Sequence, residues 1–281
     1  MLRQRLPVRP VSVGELDDAL ALCATDRAAN VFLAARIIDG AVRQHPGSLL
    51  GHYRGGLLAG LAWVAANVVP VGLGEDGAAA IAQRINRLRR GSASIFGASD
   101  QVMMLWEHLS PTWGPPRSMR GHQPLMVTRT RPSTLGLARD PRVRPAGLDE
   151  VDMVLPAASQ MFTEEIGYPP YQGSDRSYRS GVISLIRRGH TFVRVDDGEV
   201  VFKADIGSLG LGCAQVQGVW VHPRLRGRGM AVPAMAAVVE LILDGPADEV
   251  TLYVNDYNAP ARAAYVHCGF HEVGSFSTIL L

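Results

Sequence analysis

Apolar residues along this chain recur at two spacings, every three to four residues and every two, and the order of those spacings is repeated. In the first half, helical spacing predicts helices over 13–22 and 27–38. Alternation then predicts strands over 48–53 and 57–65, joined at Gly55-Gly56. A helix follows over 78–88, a strand over 92–96, a helix over 101–109 and a strand over 123–128. The second half predicts helices over 148–162 and 177–187 and strands over 191–195 and 200–206, joined at Asp196-Asp197-Gly198. A long strand over 214–221 leads to a helix over 230–243, a strand over 249–254, a helix over 259–268 and terminal strands over 270–281. Helix pair, hairpin, helix, strand, helix, strand occurs twice, which predicts the duplication of one mixed α/β unit. Between the halves, 129–144 is rich in Pro, Gly and Arg and breaks the periodicity. The expected organisation is a domain over 1–130, a linker over 131–141 and a second domain over 142–281.

Composition narrows the class. The 281 residues are 47% hydrophobic, enough for one large core or two ordinary ones. The net charge is only +2 and the arginines are scattered, which argues against nucleic-acid binding. The apolar stretch 55–74 has about the length of a membrane span. It also holds five glycines, Asn67 and Pro70, so it reads as a hairpin's second strand and its continuation. Residues 1–18 carry charges and prolines without an apolar segment, unlike a signal peptide. Cys23, Cys213 and Cys268 form no C-x-x-C pair, which fits a reducing, cytoplasmic setting, and no metal-ligating cluster is read. Lys203 is the only lysine. Its retention in mid-strand hints at a role.

The candidate chemistry begins where the long strand ends. Val219-Trp220-Val221-His222-Pro223 runs into Arg224-Leu225-Arg226-Gly227-Arg228-Gly229-Met230-Ala231, and a helical pattern starts at once. Two glycines let backbone amides face outward without a Cβ. The helix adds unpaired N–H groups and its positive dipole end, and three arginines surround the spot. This is a cradle for a pyrophosphate. A dinucleotide fingerprint would need a third glycine where Val232 stands. Pro233 falls among the first helical positions, whose amides lack partners anyway. The corresponding turn in the first half, 71–77, has glycines but places Glu75 and Asp76 where phosphates would sit.

A second motif follows. Asn255-Asp256-Tyr257-Asn258-Ala259-Pro260 leads to Tyr265 and Gly269-Phe270. Asn258 is placed to cap a helix with Pro260 in its first turn, and Tyr265 lies about two turns in. With both motifs at this spacing, residues from about Arg142 to Leu281 resemble the GNAT superfamily of acyl-CoA N-acyltransferases. The whole chain resembles bacterial two-domain members whose N-terminal copy is degenerate, and Phe202-Lys203-Ala204 also fits that group.

The resemblance implies an α+β fold with a mixed sheet in three layers, in tandem copies, and acetyl-CoA as cofactor. It implies that Val219, Trp220 and Val221 pair with the pantetheine arm and that amides from Arg226, Gly227, Arg228, Gly229, Met230 and Ala231 hold the pyrophosphate. Asn255 and Asn258 would contact the cofactor, and Tyr265 would protonate the leaving thiolate. A neutral amine would attack the thioester directly, its carbonyl polarised by a strand N–H near Val219. The acceptor would be a small-molecule or peptide amine.

The general base is not resolved by these residues. Gln215 and Gln217 occupy the strand positions where relatives often carry a glutamate, and neither can take a proton. Lys203 and Asp205 share one strand face by the two-residue alternation. Glu165 or Glu164, at the end of the first helix of that half, could act through water or could simply be a solvated helix end. His222 beside Pro223 reads as structural. The missing strand glutamate motivates a rival, a non-catalytic acyl-CoA-binding sensor or scaffold. A third reading is an amide-bond former.

Overall fold

The computed structural model describes residues 7–88 and 91–281. Met1 to Leu6, part of the N-terminal segment considered above, lie outside the described residues. Backbone contacts divide the chain into two units. The first comprises Met1–Leu125, Tyr253–Tyr257 and Glu272–Leu281; the second comprises Met126–Leu252 and Asn258–His271.

The first unit contains β1 (Val8–Pro10), α1 (Leu16–Ala24), α2 (Arg27–Ile38), the short α3 (Ala41–Gln44), β2 (Leu49–Arg54), β3 (Leu57–Val64) and β4 (Asn67–Val71). It continues with α4 (Glu75–Leu88), β5 (Ser94–Ala98), α5 (Ser99–Trp113) and most of β6 (Ser118–Thr128). Strands β1 to β4 pair antiparallel in order, and β4 pairs parallel with β5. The stretch 55–74 is thus two strands of a meander. Among the described residues no helix is long and apolar enough to cross a membrane. α4 has a helical apolar stripe, Ala78, Ile81, Ala82 and Ile85, which packs on Leu50, Val64 and Ile95 of the sheet.

The second unit contains β7 (Arg144–Pro145), α6 (Val151–Ile166), α7 (Arg176–Arg187), β8 (Thr191–Asp196), β9 (Glu199–Gly210) and β10 (Cys213–Val221). Then come α8 (Ala231–Leu243), β11 (Glu249–Tyr253) and α9 (Ala259–His267). β7 to β10 pair antiparallel in order, and β10 pairs parallel with β11. Each unit therefore builds an antiparallel meander that ends in one parallel step, as a duplicated unit should. α6 and α7 cover one sheet face through Val154, Leu155, Val182, Ile186, Val193 and Trp220.

The last strand, β12 (His271–Leu280), pairs antiparallel with β5, from Phe276↔Ala98 to Leu280↔Ser94. Its buried side chains, Phe276 and Ile279, belong to the first unit, so the partition is not a single cut in the sequence. Phe276 stacks on Tyr253 at 4.9 Å between centroids. Replacing Phe276 by alanine is expected to cost about 3–5 kcal/mol, read as a lowered urea midpoint; a loss under about 1 kcal/mol would contradict the packing.

Candidate active site

The site grows from a strand that parts from its neighbour. β10 follows β9 to its end, but its parallel pairing with β11 stops at Gln215↔Thr251. Past that point burial falls away: Gln217 is exposed, and Gly218 and Val219 are half-buried. The β9 register also slips here. Gln217 faces Asp205 and Trp220 faces Lys203, so one extra residue makes a bulge at Gly218–Val219. Gly218 takes φ +59°, a conformation that favours glycine. A strand with an unpaired edge and a kink accepts an extended ligand as an added strand. Of the three residues expected to do so, Trp220 is buried, and the Val221 carbonyl already accepts from Arg226 Nε at 2.9 Å.

After Val221 the chain makes a tight turn over Pro223–Leu225 and reaches Gly227 and Gly229 at φ +70° and +76°. Nothing lies within 4 Å of where a Cβ would stand on either glycine, so the backbone faces open space. Among the described residues the amides of Gly227, Arg228, Gly229 and Met230 donate to no backbone carbonyl, whereas that of Arg226 donates to Pro223 at 3.3 Å. α8 starts at Ala231 without a side-chain cap, so its first-turn amides have no partner within the helix. Pro233, third in α8, fits that turn without losing a bond. The arrangement fits a diphosphate: a run of outward amides at the positive end of a 13-residue helix.

The three arginines differ. Arg224 pairs with Glu199. Arg226 pairs with Glu164 of α6 at 2.6 Å, in an exposed ion pair. Arg228 has no ion-pair or hydrogen-bond partner among the described residues and borders two hollows of about 450 and 530 Å³. The smaller hollow is also bordered by Asp140, Arg142, Arg194 and Met230. Arg142 and Arg194 both bind Asp140. Burial alone would raise the Asp140 carboxyl, but hydrogen bonds from Arg142 and the charge of Arg194 outweigh it and hold the group below its ordinary range.

Asn258 caps α9, its Oδ1 accepting from the Ala261 amide at 3.3 Å. Two turns in, Tyr265 is buried against Phe270, and its hydroxyl has no hydrogen-bond partner among the described residues. Burial, then the charges of Glu165 and Cys268, push its pKa well above that of an ordinary phenol. The structure thus brings the end of α6, the Gly-rich loop and α9 together, Glu164 touching Arg226 and Glu165 lying within electrostatic reach of Tyr265. Glu164 also accepts from Gln160 at 3.2 Å. Asn255 falls in the first unit, where its Oδ1 accepts from Gln123 at 3.0 Å. His222 accepts from the Arg224 amide through Nδ1 at 3.2 Å and packs on Trp220. All three cysteines are buried and none forms a disulfide, and burial pushes the Cys268 thiol up to about 12. Among the described residues no three His, Cys, Asp or Glu side chains form a metal-holding group.

The counterpart turn of the first unit carries two carboxylates at its helix start. Glu75 pairs with His108 at 2.8 Å and Asp76 with Arg54 at 3.1 Å. The Leu73 amide is taken by Gln101 at 2.7 Å. Two carboxylates at this helix start would repel a phosphate. Those partners come from 22 to 33 residues away, beyond any local signal in the turn.

Residues 158–270 match the acetyltransferase (GNAT) family, and residues 47–154 match a domain of unknown function (DUF4081). No curated protein matches. Among solved structures, a Drosophila protein superposes with a TM-score of 0.65 at 15% identity, covering 98% of each chain. A tandem GNAT protein from the clavulanic acid biosynthesis pathway gives 0.57 at 17% identity, covering 96% of this chain and 97% of that one. A GCN5-related N-acetyltransferase from Sphaerobacter thermophilus gives 0.56 at 18% identity, covering 99% and 96%. The chain has the fold of tandem GNAT proteins, with its match to the GNAT acetyltransferase family over 158–270 and its match to DUF4081 over 47–154.

Proposed function

We propose that the second unit transfers an acetyl group from acetyl-CoA to a primary amine by direct attack within a ternary complex. The observation that carries the reading is the run of unengaged amides from Gly227 to Met230 at the start of α8, next to the parted edge of β10. Acetyl-CoA supplies the acyl group as a thioester. Amides of the Gly227–Ala231 loop bind the diphosphate, and Arg228 supplies a nearby positive charge. An amide at the Gly218–Val219 bulge polarises the thioester oxygen. As the amine nitrogen bonds to the carbonyl carbon, the C–S bond breaks. Tyr265 gives its proton to the sulfur, and Glu165 takes the ammonium proton through water. Raised by its burial, the Tyr265 phenol stays protonated through neutral pH, the state a proton donor needs. Glu165 is chosen over Glu164 because its charge reaches the Tyr265 phenol.

The acceptor class is a small-molecule or peptide amine. A cytoplasmic setting, where acetyl-CoA and thiols coexist, agrees with three cysteines that form no disulfide. Titration calorimetry is expected to show one acetyl-CoA per chain, because Glu75 and Asp76 at the first unit's turn oppose a diphosphate. Thiol release over a panel of amines, with product mass spectrometry, then tests transfer. Two equivalent sites per chain, or binding without thiol release from any amine, would contradict the proposal.

A further inference from the structure

The chemistry proposed above leaves one buried ion pair unused. Lys203 and Asp205 stand two residues apart on β9 and are 2% and 4% exposed. Lys203 Nζ donates to Asp205 Oδ2, and Thr191 Oγ1 donates to Oδ1 at 2.8 Å. Their third neighbour is the bulge of β10. A Cβ built on Gly218 would lie 3.1 Å from Asp205 Oδ2, 3.1 Å from Met161 Cε of α6 and 3.4 Å from Lys203 Nζ. The pair therefore occupies the space under the bulge that a side chain at 218 would otherwise claim. Register agrees: Gln217 stands opposite Asp205, Trp220 opposite Lys203, and the extra residue lies between them.

Stability gives little reason to keep such a pair. Two charges removed from water lose more solvation than they regain unless every partner is well placed, and an apolar pair of similar volume is commonly neutral or better. The residue type is also unusual in this chain, where 28 Lys and Arg include the single lysine, Lys203, and hence 27 arginines. A guanidinium is a wide planar fork, whereas an ammonium is compact and can donate in several directions. The compact cation suits the crowded space beside Gly218, where a Cβ would already lie 3.4 Å from Nζ and 3.1 Å from both Asp205 Oδ2 and Met161 Cε.

We infer that the Lys203–Asp205 pair is a positioning device: it props the Gly218 bulge so that the strand amide there is aimed at the thioester oxygen. The inference rests on the acyltransferase reading above. Neither side chain touches the reacting atoms; both act through the backbone they support. A donor displaced by about 1 Å loses much of its effect on a developing oxyanion, so the prop sets how strongly the carbonyl is polarised.

The test reads that polarisation without needing the acceptor. Isotope-edited infrared spectra of acetyl-CoA labelled with ¹³C at the carbonyl are recorded free and bound to three proteins: wild type, the double variant Lys203→Met/Asp205→Leu, and Gly218→Ala. The double variant replaces the pair by apolar side chains; Gly218→Ala keeps the pair and pushes it away from the bulge. In the wild type the carbonyl band is expected to move to lower frequency on binding. In both variants that shift is lost; for the double variant calorimetry returns a Kd within about threefold of wild type, because the diphosphate loop is untouched. A band that keeps its wild-type shift in either folded variant overturns the inference. Absence of acetyl-CoA binding by the wild type is a separate result, which removes the acyltransferase reading itself.

Discussion

Replacing Tyr265 by phenylalanine is expected to lower turnover by about 10²-fold while changing the Kd for acetyl-CoA by less than about twofold. The substitution removes one oxygen from a buried ring and leaves its packing on Phe270 in place. Because the hydroxyl bonds to no described residue, no internal hydrogen bond is lost and stability should hold. What disappears is a proton donor. Burial and the nearby charge of Glu165 keep that phenol protonated, so a drop in rate would persist across neutral pH rather than develop with it. Turnover is read with whichever amine the acceptor panel identifies. Unchanged turnover would remove Tyr265 from the chemistry.

The second large effect is expected from the loop. Gly227→Ala with Gly229→Ala puts a Cβ on two residues at positive φ, each costing roughly 1–2 kcal/mol in that conformation. The loop is exposed and unpacked, so the free protein can relax by letting it move. The cost then falls on binding, where the loop must return to its shape. About 3 kcal/mol corresponds to a Kd raised by about 10²-fold. Melting temperature should change little. A double variant that binds acetyl-CoA as wild type does would show that the diphosphate does not need this backbone.

Much of this arrangement is legible in the residues, because its causes are local. Gly227 and Gly229 ahead of a helical pattern, Asn258 three residues before the amide it caps, and the alternation that places Lys203 and Asp205 on one face are all short-range signals. Three features are not short-range. The pairing of Arg226 with Glu164 joins residues 62 apart, and nothing at either position announces it. β12 reads as a strand from its own pattern, but its partner β5 lies far earlier in the chain, and strand pattern does not name partners. The stretch 67–71 reads as a continuation of the preceding strand, whereas it folds back as β4 because Leu61↔Val71 to Val64↔Val68 closes a tight antiparallel pair. The bulge had a signal that went unread: Gly218 is an isolated glycine inside a strand pattern, which commonly marks one.

The account depends on where the diphosphate sits. A crystal structure with coenzyme A bound tests this most directly. The account predicts diphosphate oxygens within about 2.7–3.2 Å of amide nitrogens of the Gly227–Ala231 loop, with the pantetheine arm along the parted edge of β10. Coenzyme A seated with its diphosphate away from this loop, or against the first unit's Glu75-Asp76 turn, would contradict it.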